Sequence, residues 1–301
     1  MSVLRVAHFS DTHVLSLRGA RPGQFLNKRW SGAVNLALAR SRHYRVEIFE
    51  QLLDAVAEAE PDHTVCTGDL VNLALEPEFQ RVHRLLEEVF PPQTLTLVPG
   101  NHDYYAKDAV ANGLFERYFQ AWQPRDVTVP GAQQYPVCRV LDGLYVVGLS
   151  TAIPTPVFMA TGRVGEAQLD AMEQAFRRKE AKDRFRLLIL HHPLLPEPAR
   201  PMDNMRRLTD AEALIARLWK TGERGPQLVV HGHNHEFKRM QLPGTPVPIV
   251  QVASASRSGK KRRAEFNIYV IRDGALAGIE RHIHEPESGR FVRCDEAGSP
   301  L

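Results

Sequence analysis

Runs of apolar residues with a strand-like or helix-like period alternate along the chain, and the strand-like runs end in short polar motifs. Val3 to Phe9 reads as an apolar strand that stops at Ser10-Asp11. Val46, Phe49, Leu52, Leu53 and Val56 recur at helical spacing, and Pro61 closes that helix because it lacks an amide donor. His63 to Thr67 predicts a second strand ending at Gly68-Asp69, Phe79 to Val89 a helix broken by Pro91-Pro92, and Thr94 to Val98 a third strand ending at Pro99-Gly100-Asn101-His102. Further on, Tyr145 to Leu149 and Arg186 to Leu190 read as strands with a helix over Glu166 to Glu180 between them, and Leu228 to Val230 as another strand. Pro246 to Ala253 and Phe266 to Ile271 read as closing strands, the latter followed by a turn at Asp273-Gly274. Alternating strands and helices predict an α/β layered architecture, and the hairpin-like carboxyl-terminal strands predict mixed rather than purely parallel sheets.

Composition changes this picture little. The chain has 301 residues, 43% hydrophobic and 24% charged, as an ordinary globular protein does. A single domain over residues 1–301 is expected, with a basic amphipathic insertion at about 16–45 and a short carboxyl-terminal tail at about 285–301. The start runs straight into a strand, and no apolar run is long enough to cross a membrane, so the expected location is the cytoplasm, peripheral to the inner face of the membrane at most. Cys66, Cys138 and Cys294 are too far apart in sequence to suggest a thiolate metal site and read as buried free thiols.

The strand ends carry the chemistry. Asp11-Thr12-His13, Gly68-Asp69, Gly100-Asn101-His102-Asp103, His191-His192-Pro193 and Gly232-His233-Asn234-His235 follow predicted strands in that order, where functional loops gather. They supply carboxylate, imidazole and amide oxygen, a donor mixture that suits manganese, iron or zinc better than calcium. Two divalent cations close together repel and need an anionic ligand donating to both. Asp69 is the candidate bridge. Asp11, His13 and His235 would complete one metal, and Asn101, His191 and His233 the other. Such a pair would bring the pKa of a bound water towards neutrality and polarise a phosphoryl group. His102 lies beside a candidate ligand and is the candidate acid for the leaving oxygen, with Asp103 as a carboxylate to orient its ring.

Singly these motifs are weak: Asp-Thr-His and Gly-Asp are common in loops, and Gly-Asn-His-Asp and Gly-His-Asn-His are rarer. Together and in order they resemble the calcineurin-like metallophosphoesterases, whose signature runs Asp-x-His, Gly-Asp, Gly-Asn-His-Asp/Glu, His and Gly-His-x-His, with the match covering residues 3 to about 255. Gly-Asn-His-Asp and the His-His-Pro after a strand are most similar to the bacterial branch with cyclic-nucleotide and glycerophosphodiester phosphodiesterases. The resemblance implies a four-layer α/β sandwich with two central mixed sheets, the ligand sets above, and His191 rather than His192 as the ligand. It implies a dinuclear hydrolase of a phosphodiester or related phosphoanhydride. The alternatives are a lipid-directed enzyme, similar to pyrophosphohydrolases that cleave UDP-diacylglucosamine, and a non-catalytic metal-stabilised binding module.

One interval departs from a compact phosphodiesterase. Between Thr12 and Val46 lie Arg18, Arg21, Lys28, Arg29, Arg40, Arg42 and Arg45 and no acidic residue, so the rest of the chain is net acidic. If Gln24 to Arg40 is helical, Leu26, Trp30, Ala33, Val34 and Ala37 share one face with Arg29 and Arg40 flanking it. Such a face could meet an anionic membrane or amphiphile, and the alternative is a helix packed on the core. Arg257, Lys260, Lys261, Arg262 and Arg263 read as a solvated hairpin tip or a phosphate-facing patch; with no nucleic-acid motif beside them, no specific nucleic-acid partner is expected. Tyr104 and Tyr105 read as core anchors or pocket walls, and His192 as a packing residue that could reach substrate. His8 and His231 read as core, and His43, His63, His83, His282 and His284 as surface or interelement residues.

Overall fold

The computed structural model describes residues 3–20, 22–25, 28–30, 44–197, 203–259 and 262–301. Two six-stranded mixed sheets lie face to face. The first contains β1 (Val3–Phe9), β2 (His63–Cys66), β3 (Leu95–Leu97), β10 (Glu265–Arg272), β11 (Ala275–Glu285) and β12 (Arg290–Cys294), in the order β12-β11-β10-β1-β2-β3. The second contains β4 (Val137–Leu141), β5 (Leu144–Gly148), β6 (Phe185–Ile189), β7 (Leu228–His231), β8 (Lys238–Gln241) and β9 (Pro248–Gln251), in the order β4-β5-β6-β7-β9-β8. The stretches β1-β2-β3 and β5-β6-β7-β9 are parallel, and antiparallel strands flank them.

The period-2 alternation of β1 decides which layer each side chain joins. Val6 faces the second sheet, in a core shared with Val146, Leu187, Ile189, Val230 and Val250. Ala7 and Phe9 face the other way, onto helices α1 (Val46–Glu58) and α2 (Glu76–Val89). On the far side, α5 (Glu166–Phe176) and α6 (Ala211–Thr221) bury Leu169, Met172, Leu214 and Leu218 against the second sheet. Two short helices, α3 (Lys107–Ala111) and α4 (Leu114–Phe119), lie between β3 and β4 in the chain. Helices outside, two sheets inside, is the four-layer arrangement that the sequence implied.

Several details differ from the sequence reading. Helix α5 stops at Phe176, where the apolar period gives way to Arg177-Arg178-Lys179, and only a short 3-10 turn follows at Lys179–Ala181. Part of the expected tail pairs with β11 as the edge strand β12. His63, His282 and His284 are buried rather than superficial, because their strands are covered on both faces. His43 lies outside the described residues, as do Leu26, Ala33, Val34, Ala37, Arg40, Lys260 and Lys261. The three cysteines are buried free thiols. Among the described residues no helix is long and apolar enough to cross a membrane.

Candidate metal centre

The parallel strands of both sheets point their carboxyl ends at one place, and the five motifs leave from those ends. Asp11 and His13 follow β1, Asp69 follows β2, Asn101 follows β3, His191 follows β6, and His233 and His235 follow β7. The loops are tightly cross-tied. Asp11 N–H donates to Gly68 O at 2.9 Å, Ser254 Oγ to Asp11 O at 2.7 Å and Ser256 Oγ to Thr12 O at 2.6 Å. Asp11, His13, Asp69, His233 and His235 all have left-handed φ, between 45° and 74°, a backbone cost of roughly 1–3 kcal/mol each that these ties hold in place. The motif glycines serve close approach. A Cβ on Gly100 would stand 2.2 Å from Asp69 Oδ1, and one on Gly232 would stand 2.0 Å from Ser10 Oγ.

Two sets of donor atoms result, each within 4.8 Å: Asp11, His13, Asp69 and His235, and Asp69, His191 and His233. Asp69 Oδ2 belongs to both, 3.8 Å from His13 Nε2 and 3.4 Å from His191 Nε2. Asn101 Oδ1 joins the second set, 3.2 Å from His191 Nε2. All seven residues that the sequence marked as candidate ligands are thus brought together here, with Asp69 lying between the two groups.

The donor atoms face one another in a way that calls for a cation. His191 Nδ1–H donates to Thr67 O at 2.7 Å, which directs its Nε2 at Asp69 Oδ2, Asn101 Oδ1 and His233 Nδ1, the last at 3.1 Å. Two carboxamide or carboxylate oxygens and two imidazole nitrogens repel unless a proton or a metal lies among them. Burial disfavours charge on His191, but Asp69 beside it outweighs that and raises its pKa to about 9. Burial likewise opposes ionisation of Asp69, yet His191, His102 and His13 hold its carboxyl well below the usual range. A metal would displace the His191 proton, so binding and protonation compete. His233 is already poised as a neutral ligand, since burial and the neighbouring His192 and Arg206 lower its pKa. In the first set, His13 Nε2 and His235 Nε2 stand 3.1 Å apart, and Asp11 Oδ1 lies 3.0 Å from His235 Nε2 and 3.7 Å from His13 Nε2. The residues fit two divalent ions.

His102 sits at the rim of this set. Its main-chain N–H donates to Asp69 Oδ1 at 2.7 Å, and its Nδ1–H to Asn72 O at 2.6 Å. Nδ1 is thereby committed to the Asn72 carbonyl, and Nε2 is the ring's other nitrogen. The expected role of Asp103 is corrected. Its carboxylate accepts the main-chain N–H groups of Asp69, Gly100, Leu70 and Val71 at 2.8–3.1 Å; it ties two ligand loops together, while a carbonyl, that of Asn72, receives the His102 ring proton. His192 is not a ligand either, because its Nδ1 meets Thr151 Oγ1 at 2.8 Å and its Nε2 meets Ala160 O at 3.2 Å. His8, buried beneath the site, bonds Tyr269 and Thr67, the residue whose carbonyl orients His191.

Of three further residues around the centre, Tyr44 and Arg206 carried no sequence signal, and Lys28 was marked only as part of the basic interval. The Tyr44 hydroxyl lies 2.8 Å from His235 Nδ1, so with Nε2 as the ligand atom Nδ1–H donates to it. Arg206 donates to His233 O at 3.2 Å, and Lys28 approaches Tyr105, whose ring stacks on His102. Arg29, expected to flank a lipid-facing stripe, is only 1% exposed. Its Nε and Nη2 each donate at 2.8 Å, to Leu73 O and Ala74 O, and Nη1 meets Asp108 Oδ2 at 2.7 Å. The guanidinium fork satisfies two buried carbonyls and pins the insertion to the site instead of meeting lipid. Trp30 is 53% exposed.

A sequence profile described as calcineurin-like phosphoesterase matches residues 4–237. Among solved structures, a purple acid phosphatase from yellow lupin (Lupinus luteus) seeds is similar with TM-score 0.58 and 13% identity, over 97% of this chain and 53% of that one. The chain therefore spans about half the length of the lupin enzyme, and the likeness concerns the fold. A conserved uncharacterized protein, a predicted phosphoesterase from Streptococcus pneumoniae TIGR4, aligns over 100% of this chain and 94% of its own with 13% identity and TM-score 0.39. No curated protein sequence matches the chain. With its motifs gathered around one donor cluster and its sequence matched over most of its length, the chain belongs to the calcineurin-like phosphoesterases.

Proposed function

We propose that the protein is a dinuclear metal-dependent hydrolase of a phosphodiester. The carrying observation is that two donor sets share one oxygen, Asp69 Oδ2, since a shared carboxylate is what two adjacent cations need. In this reading Asp11, His13, Asp69 and His235 hold one ion and Asp69, Asn101, His191 and His233 the other, with manganese, iron or zinc as the metals. When bound, such ions supply a water of lowered pKa and polarise phosphoryl oxygens. The chain's own part is to hold that array rigid and to deliver a proton. His102, fixed through Asn72 O and the Tyr105 ring, protonates the leaving oxygen from Nε2. The location that fits is cytoplasmic.

A panel of bis(p-nitrophenyl) phosphate, p-nitrophenyl phosphate, cyclic nucleotides and glycerophosphodiesters with added manganese tests this. Diesters should be turned over faster than the monoester. A monoester preference overturns the diester assignment, and bound metal without turnover of any of them favours a binding module.

A second reading, a lipid-bearing substrate such as UDP-diacylglucosamine, is favoured by two exposed aromatic residues, Trp30 and Phe158, the latter 70% exposed. They neighbour Lys28 and Met159, which are hydrogen-bonded to each other. Including UDP-diacylglucosamine with and without detergent, and sedimenting the protein with anionic liposomes at low salt, tests it. No lipid turnover and no sedimentation would leave a soluble diester as the substrate.

A further inference from the structure

Lys28 belongs to the insertion, yet its ammonium is built into the edge of the metal centre. It donates to Thr155 Oγ1 at 2.7 Å and to Met159 O at 2.9 Å, and it lies 4.6 Å from the centroid of the Tyr105 ring. That ring stacks on His102, with centroids 5.2 Å apart and planes 16° from parallel. One aromatic ring therefore touches both the cation and the candidate acid. Thr155 and Met159 offer neutral oxygens that orient the ammonium. Burial lowers the Lys28 pKa to about 8, and the Asp69 carboxylate acts in the opposite direction, which puts Lys28 within the field of the bridging ligand.

The placement is held from both sides. Arg29, the next residue, is locked onto the carbonyls of Leu73 and Ala74, in the same loop whose Asn72 O receives the His102 proton. The loop carrying Thr155 and Met159 is tied to the centre through Thr151 and Ala160, both bonded to His192. A long, entropy-rich lysine side chain is thus ordered in advance beside the reacting group, and such ordering favours affinity for whatever the ammonium meets.

We propose that Lys28 binds a second phosphoryl group of the substrate, one that is not attacked, and so selects phosphoesters that carry two phosphates. The inference rests on the hydrolase reading above. A compact ammonium in a partly desolvated setting is a point-charge phosphate binder, and it lies against the ring that stacks on the candidate acid rather than among the metal donors.

The test uses p-nitrophenyl phosphodiesters whose other alcohol arm ends in phosphate, carboxylate or hydroxyl; release of nitrophenolate reads only the bond in question. The wild-type protein should prefer the phosphate arm over the hydroxyl arm by roughly 10- to 100-fold in kcat/KM, chiefly through KM, as one charge-assisted contact allows. Lys28→Met should erase most of that preference, Lys28→Arg should keep part of it, and Thr155→Val, which leaves the charge but loosens its seat, should fall between. Equal losses on all three arms in Lys28→Met, or no wild-type preference for phosphate over hydroxyl, would overturn the proposal. A carboxylate arm preferred as strongly as phosphate would overturn the phosphoryl assignment. Failure of the wild-type protein to cleave any of the three would reject the hydrolase reading itself, a result distinct from cleavage without preference.

Discussion

Replacing His102 by Ala separates proton delivery from metal binding, because the residue's two contributions come from different atoms. Its tie to the metal bridge is the main-chain N–H to Asp69 Oδ1 at 2.7 Å, and alanine keeps it. The ring is what is lost: the hydrogen bond to Asn72 O, the stack on Tyr105 and an edge contact with His13 at 4.7 Å between centroids. One buried hydrogen bond and two ring contacts amount to about 2–4 kcal/mol of stability. The catalytic loss should be about 10²–10⁴ in rate for an alkyl leaving group, which needs a proton, or about 3–5 kcal/mol of barrier. For p-nitrophenolate, which leaves readily as an anion, the loss should be far smaller. His102→Phe keeps the stacking surface while removing both nitrogens, so it separates packing from chemistry. The assay is kcat/KM on an alkyl and a p-nitrophenyl diester with metal content measured on the same preparations. Equal losses on both substrates would refute the acid role, and loss of the metals would refute the division of labour between backbone and ring.

Asp69→Asn should do more damage than the roughly 10–100-fold that removing an outer partner of a metal ligand costs, and should lower the metal bound per chain; retention of two ions with wild-type affinity would contradict the bridge. Tyr44→Phe removes the partner of His235 Nδ1 and should weaken metal affinity by about 10-fold, read by competition with a chelator; unchanged affinity would show that the hydroxyl does not orient His235. His63 is buried in β2 with Nε2 2.9 Å from Thr96 Oγ1, and burial, helped by Arg139, lowers its pKa from 6.5 to about 3. The unfolded chain then takes up a proton below pH 6.5 that the folded chain refuses, so stability present above 6.5 is lost as pH falls, by about 2 kcal/mol at pH 5 from this residue. Urea midpoints at pH 7.5 and 5 should differ less in His63→Gln than in the wild type; an identical difference would show that His63 does not carry this sensitivity.

The candidate ligands were legible in the sequence because each lies just past an apolar strand, where the local pattern and the chemical motif coincide. Asp69 and His191 could be assigned without coordinates for that reason. Asp103 could not: being next to His102 in sequence says nothing about which way a carboxylate turns, and four main-chain donors, three from the loop after β2 and one from its own loop, decided it. Lys28 and Tyr44 were opaque because their roles depend on contacts across the fold, with Met159 and His235. Arg29 misled because charge suggests solvent, whereas its fork matches carbonyls buried in the 73–74 turn. The strands missed were mostly edges, β8 above all, whose residues are mostly exposed and show no two-residue period; β11, paired on both sides, was missed as well. His63 was misjudged because β2 is covered on both faces, so polarity there does not mark the surface.

The central claim is that one shared carboxylate organises two metal ions for phosphodiester hydrolysis. Stripping the protein with a chelator, titrating manganese back, and reading bound metal by elemental analysis together with bis(p-nitrophenyl) phosphate turnover on each sample tests it most directly. The stripped protein should show no turnover, and activity should return as occupancy approaches two ions per chain. Undiminished turnover with only trace metal would contradict it.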